Sequence, residues 1–300
     1  MNVRVALAGF EPRDMALALG RSILALATLS VLLFNPDDVL FAYSSELPSG
    51  VQCDGLRVLS IWCLNGHAPS VSRIFAVIVL ILVVVGYRPQ WTCVPHWYVT
   101  FSVAASISVP NGGDKVAQIV TLLFIPACLS DRRRWHWTRP VSALPPKGLG
   151  VAYAAHITLR IQASIIYITA GVSKLFFAQW RDGTAMFNVF NDPNFGLAPG
   201  LLQTIAPALP WFPIVAAVTW GAVAAELVMG ILVLGSQGMR YLALLLGGML
   251  HGAIILLLGL PSFGLSMIAL LITLCAGASG SGRTAELPLR TDETSRKVVT

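Results

Sequence analysis

Met15-Ala-Leu-Ala-Leu-Gly-Arg-Ser-Ile-Leu-Ala-Leu-Ala-Thr-Leu-Ser-Val-Leu-Leu-Phe34 runs for twenty residues with one charge, Arg21. As an α-helix it is about 30 Å long, the thickness of a bilayer's hydrocarbon core. Arg4 and Arg13 precede it and no small-residue cleavage pattern follows, so it reads as a signal anchor rather than a removable signal peptide.

Further runs of the same kind follow. Apolar periodicity predicts eight spans, at about 15–34, 71–87, 97–110, 115–130, 151–177, 211–235, 240–259 and 262–278. The third is short and carries Thr100, Ser102, Ser106 and Ser108. Composition agrees: 56% of residues are hydrophobic, 11% are charged and the mean hydropathy is +0.74. Soluble domains carry about 25% charged residues, so the lipid bilayer is the solvent this chain requires. The expected fold class is all-α, a polytopic transmembrane helix bundle of about eight spans.

Lys and Arg in short loops set the orientation. Arg132, Arg133, Arg134, Arg139 and Lys147 form the densest cluster and are expected on the cytoplasmic side of the cell membrane. Alternation then puts both termini inside. Residues 1–14 become a cytoplasmic N-terminus, 15–278 the transmembrane domain, and 279–300 a disordered cytoplasmic tail rich in Ser, Gly, Thr and charge. The long segments 35–70 and 178–210 fall outside. The net charge of +6 follows from this loop bias. No aromatic–basic interleaving suggests nucleic acid, and no Cys/His spacing suggests a metal site. Cys53 and Cys63 share the outer segment 35–70, where a disulfide is one reading and two free thiols the other.

Ionisable residues within spans are costly and call for partners. Span five carries most of them. At about 100° per residue, His156, Arg160, Ser164, Tyr167, Gly171 and Lys174 share an arc of about 80°. That polar strip is expected to face protein or a wet cavity. Lys174 can alternatively snorkel to the outer interface, and Arg160 can contact backbone or phosphate near the inner side. His156 and His251 can be hydrogen-bonded structural histidines. Glu226, near the middle of span six, needs Arg21, Arg160 or Lys174 as partner, or a proton. Trp180 suits an interfacial anchor, with Asp182 and Gly183 just beyond it. Asn111-Gly-Gly-Asp114 reads as a tight outer turn.

The stretch Arg160-Ile-Gln-Ala-Ser-Ile-Ile-Tyr-Ile-Thr-Ala-Gly-Val-Ser-Lys174-Leu, followed by Trp180-Arg-Asp-Gly183, resembles the core motif of the "horizontally transferred transmembrane" (HTTM) superfamily. That superfamily includes vitamin K-dependent gamma-glutamyl carboxylase. Arg21, Glu226, and His251 ahead of Phe263 and Ser266 agree with it. Within the superfamily the chain looks most like the sporulation-delaying protein B family. The marks are Arg21-Ser-Ile-Leu-Ala-Leu, Gly86-Tyr-Arg-Pro89, Gly-Gly-Asp114 and Ile-Pro126…Asp131…Trp135-His-Trp137. The resemblance implies a membrane protein needed to produce a secreted antimicrobial peptide toxin from its precursor, with that precursor and a small companion protein as partners. Carried over from the carboxylase, it implies Lys174 as a base toward a quinol such as vitamin K or menaquinol. His96 of His96-Trp-Tyr98 would be a second catalytic residue, and Tyr167 of the span-five motif a third. Propeptide and glutamate binding are not implied. Against this enzymatic reading stand a non-enzymatic chaperone, export accessory or immunity protein, and a strip that only holds the bundle together.

Overall fold

The computed structural model describes residues 10–41, 43, 50–64, 69–108, 110–193, 195–205, 207 and 211–276. Residues 1–9 and the 279–300 tail lie outside that set. Eight long helices carry the fold: α1 Met15–Phe34, α2 Pro69–Val84, α3 Pro89–Ser106, α4 Gly112–Leu129, α5 Pro146–Lys174, α6 Phe212–Leu232, α7 Gln237–Leu258 and α8 Pro261–Leu274. Among the described residues the only β pairing is an isolated bridge, Tyr87 with Trp135.

Each helix packs on the next in the chain, and α8 returns to α1, so the eight close into a ring. α4 also packs on α8 and braces the ring across its middle. Where the connection is short, as between α2 and α3, α3 and α4, α6 and α7, and α7 and α8, neighbouring helices must run antiparallel. Two cores result. One gathers Leu24, Phe124, Leu159, Tyr167, Met229 and Leu271; the other gathers Leu32, Phe41, Trp62, Leu80 and Val99 around α1–α3.

The outward faces are apolar. On α2, Ile74, Phe75, Ile78 and Ile81 are exposed, and on α7 so are Leu242, Leu245, Met249 and Leu256. Water does not tolerate continuous apolar surface on that scale, but lipid does. α1, α4, α5, α6 and α7 are long and apolar enough to cross a membrane, and α2 and α8 are shorter apolar helices. The protein is an all-α helical bundle of the membrane.

The third helix departs from expectation. It covers Pro89–Ser106 rather than 97–110. Pro89 occupies its first turn, where the missing N–H leaves no gap. Two of its polar residues are paired inside the bundle. Thr100 Oγ1 lies 2.8 Å from Thr121 Oγ1 of α4, and Ser102 Oγ accepts the Ile61 N–H at 3.1 Å. The Thr100 and Ser102 hydroxyls that make this helix look like a broken span are contacts between elements of the bundle.

Asn111-Gly-Gly-Asp114 is a helix start rather than a free turn. Asn111 caps α4, and the Asp114 carboxylate accepts the Asn111 N–H in return. Gly113 is required for space. A Cβ there would stand 2.8 Å from the Phe263 Cα at the start of α8. The 178–210 segment contains short helices at Ala178–Arg181, Ala185–Phe190 and Pro199–Ile205, and the second of these packs on α6. Cys53 and Cys63 are joined as a disulfide.

Candidate functional site

The span-five strip packs mainly on α6, and Tyr167 reaches His251 of α7. At its lower end the Arg160 guanidinium donates to the carbonyls of Val233, Leu234 and Gly235, which close the C-terminus of α6. A cation there satisfies orphan carbonyls and opposes the negative end of the helix dipole. Four residues on, Ser164 Oγ donates to the Gly230 carbonyl at 2.7 Å. Above that the backbones meet through glycines. A Cβ on Gly230 would stand 2.6 Å from Ile168 Cγ1, and one on Gly171 would stand 2.8 Å from Leu227 Cδ2. Small residues at such crossings permit the close approach on which helix packing in lipid depends.

Lys174, the last residue of α5, turns its side chain back down the helix. Its Nζ donates to both Glu226 carboxylate oxygens, at 2.7 and 2.6 Å, and to the Ala170 carbonyl at 3.3 Å. The ammonium also lies 5.3 Å from the centroid of Trp180, within cation–π range. The side chain therefore does not snorkel outward. Glu226 lies fourteen residues into α6 from Phe212, about 21 Å along the helix axis. The pair is partly buried, and that makes each charge dependent on the other.

Tyr167, one turn nearer the centre than Gly171, is 1% exposed, and its hydroxyl lies 3.0 Å from His251 Nε2 of α7. His251 is itself buried, meets the Phe263 ring edge-on at 5.7 Å, and leaves Nδ1 with no partner among the described residues. Trp180 is placed by the short helix that follows α5. Gly183 then reverses the chain at φ +76, with its Cα packed on Ala216 of α6. Asp182 is exposed and its backbone N–H closes that turn. The bundle thus brings together Lys174, Glu226, Trp180, Tyr167, Gly171 and His251. Arg160 lies fourteen residues, about 21 Å, below Lys174. His156 lies lower still, against Phe10.

His96 is elsewhere. It lies in the second turn of α3, 1% exposed and near the charge of Arg21. No contact joins it to Lys174 among the described residues. Arg21 organises a second polar knot that sequence reasoning does not assemble. Its Nη2 donates to Thr92 Oγ1 at 2.6 Å, and its Nη1 lies 3.5 Å from His136 Nδ1. Because arginine only donates, His136 Nδ1 must accept, and the ring proton sits on Nε2. That atom lies 3.3 Å from Ser22 Oγ, which passes its own hydrogen to the Val84 carbonyl at 2.8 Å. Two of the family marks meet here: Gly86-Tyr-Arg-Pro89 lies against Trp135-His-Trp137, and the Gly86 carbonyl accepts the His136 N–H. The signal in sequence was the density of Gly, Pro, His and Trp in two short connections.

Burial first, then the Arg21 charge, pushes the loop residue His136 down to about 3. It is neutral in the fold but takes a proton near pH 6.5 when unfolded. Its contribution to stability is therefore full above pH 6.5 and is lost as pH falls from there toward 3. Between pH 7 and 5 the unfolding midpoint should drop for the wild type and drop less for His136→Gln, measured by thermal melts in detergent. Equal slopes would remove His136 from the cause.

Two curated relatives align over most of the chain. The sporulation-delaying protein SdpB of Bacillus subtilis (strain 168) is 33% identical over 268 residues, 88% of this chain and 81% of its own length. The uncharacterized protein YitO of the same organism is 32% identical over 266 residues, 87% and 85% respectively. No known family model matches the chain, and no solved structure does.

Proposed function

This chain belongs to the SdpB-like family of membrane proteins, and from that premise we propose that it serves the production or maturation of a secreted antimicrobial peptide toxin. It acts at the outer face, in the cell membrane, with both termini inside. The observation that carries this reading is the Lys174–Glu226 pair with Tyr167 and His251 beside it. A membrane bundle held only by packing has no need of an ion pair with a tyrosine–histidine couple beside it. The orientation is supported by the Cys53–Cys63 disulfide, which belongs in an oxidising compartment and lies on the side that charge bias assigns to the exterior.

An enzymatic, HTTM-type form of this function uses Lys174 as base, with a quinol supplying reducing chemistry when bound. The residues present fit such a group. An apolar cleft of about 300 Å³ runs between α6, α7 and the Ala185–Phe190 helix, lined by Met186, Phe190, Ala222, Leu250 and Ile254. Ala222 stands one turn from Glu226, and Leu250 precedes His251. The cleft walls would hold the apolar part. Lys174 would meet the polar part as a base only once Glu226 takes its proton, because an ammonium bonded to both carboxylate oxygens has no free lone pair.

Lys174→Ala is expected to abolish the mature peptide while the protein still reaches the membrane. Mass spectrometry of a peptide toxin precursor co-expressed with this protein, from cells with and without the variant, reads the outcome. Normal product from Lys174→Ala would sink the proposal. Wild-type output from Lys174→Ala combined with loss on changes in 178–210 would favour a docking chaperone instead.

A further inference from the structure

A second cavity lies at the end of the bundle that carries the disulfide, away from the Lys174 pair. It measures about 270 Å³ and is polar. Its floor is the C-terminus of α3, with Ala105 and Ser106. One wall is Lys115 and Gln118 of α4, and the other is Gln52 and Arg57 of the disulfide loop. Lys115 Nζ donates to the Ala104 carbonyl, Arg57 Nη1 to Gln52 Oε1, and Asp54 holds Arg57 at 3.3 Å from outside the cavity. No carboxylate stands among the described lining residues. The Ser106 hydroxyl, on a side chain 5% exposed, has no protein partner among the described residues.

The chemistry is two-sided. Lys115, Arg57 and the glutamine amides offer positive charge and donors. The carbonyls at the C-terminus of α3 offer acceptors, of which that of Ala104 already holds Lys115. A bare phosphate suits this poorly, because it offers the α3 carbonyls no N–H donor. A chain end carrying both a carboxylate and peptide N–H groups meets both halves at once, and capture of a terminal carboxylate is a recurring mode of peptide recognition. The volume falls just below that of a pocket enclosing a drug-sized ligand, which suits the last few residues of a chain.

We propose that this cavity binds the C-terminal carboxylate of a peptide, with Lys115 as its main cation and the α3 carbonyls as acceptors for the adjoining N–H groups. The proposal rests on the peptide-production reading and names the surface on which that peptide is held. A chain of contacts runs from the cavity toward the Lys174 site. Pro110 lines the cavity, the neighbouring Asn111 Nδ2 donates to Ser262 Oγ at 3.0 Å, and Phe263 meets edge-on the His251 that contacts Tyr167.

The test uses full-length protein in lipid nanodiscs and two probes, dansyl-Ala-Ala-Ala with a free carboxylate and the same peptide amidated. The acid should bind at least tenfold more tightly than the amide. Lys115→Ala should weaken the acid at least tenfold, Lys115→Arg should retain it, and equimolar inorganic phosphate should not displace it. Equal binding of acid and amide, no binding of the acid, indifference to Lys115→Ala, or displacement by phosphate would each overturn the proposal. Lys115 is exposed, so an unchanged melting midpoint in Lys115→Ala excludes misfolding as the cause. The Lys174→Ala protein separates the two readings. If it binds the acid probe normally and yields normal toxin, the production reading fails and the cavity stands. If toxin is lost but wild type never binds the probe, the cavity fails and the production reading stands.

Discussion

Glu226→Gln should lower the unfolding midpoint of the purified protein sharply, and Lys174→Met should do nearly the same. Each leaves one charge inside the bundle without its partner. Breaking a fully buried pair from one side costs about 3–5 kcal/mol, which is an upper bound for this partly buried one. The penalty has a ceiling, because a stranded group can neutralise itself. From ordinary side-chain pKa values, protonating a lone carboxylate or deprotonating a lone ammonium at pH 7 costs about 4 kcal/mol. Stranded Lys174 keeps the Ala170 carbonyl and the Trp180 ring, so Glu226→Gln should fall somewhat short of that ceiling. The double variant Lys174→Met/Glu226→Met buries no charge and should regain most of the loss, because apolar replacement of a whole pair is often neutral or better. Thermal melts of the four proteins in one detergent measure the coupling. Toxin output, read on the same four, separates stability from chemistry. If the pair works as proposed, the double variant is stable and inactive. If it regains both stability and output, the pair is only a brace and the site assignment falls.

That contrast bears on what the sequence made legible. The bundle was readable because lipid imposes one demand on every span, and α1, α5, α6 and α7 meet it without exception. The face of α5 was readable because a 3.6-residue period places Arg160, Ser164, Tyr167, Gly171 and Lys174 together wherever the helix packs. Their partners were not readable. Glu226 had three candidate cations, and only the glycine crossings at Gly171 and Gly230 set the register that selects Lys174. α3 was misjudged for a related reason: Thr100 and Ser102 read as polarity until α4 and Ile61 are in place to receive them. The Arg21–His136 knot was hidden most completely, because its members lie 115 residues apart in the chain and no local period links them.

That knot gives the other large expected effect. Gly86→Ala should prevent the protein from accumulating in the membrane, or lower its melting midpoint severely. Gly86 has φ +83, a left-handed conformation that an L side chain occupies at a cost of about 1–2 kcal/mol. Space is the harder limit. A Cβ would stand 2.2 Å from His136 Cδ2 and 2.8 Å from Trp137 Nε1. The ring cannot simply withdraw, because its backbone N–H bonds to the Gly86 carbonyl at 3.0 Å and Trp137 Nε1 donates to the Val85 carbonyl at 2.8 Å. Adjacent pairing of Arg88 N–H with the Arg134 carbonyl at 2.8 Å fixes the two connections to each other. His136→Ala on its own should destabilise, since Arg21 and Ser22 lose a partner. Combined with Gly86→Ala it should instead help, because it removes the imidazole overlap and leaves the φ strain and the contact with Trp137. Membrane abundance and melts of the single and double variants would show this reversal of sign. Gly86→Ala folding as well as wild type would mean that the two loops are not locked at this distance. The reversal also separates the two polar clusters by role. Damage at Gly86 should remove protein and product together, whereas the Lys174→Met/Glu226→Met double variant should remove product while protein remains.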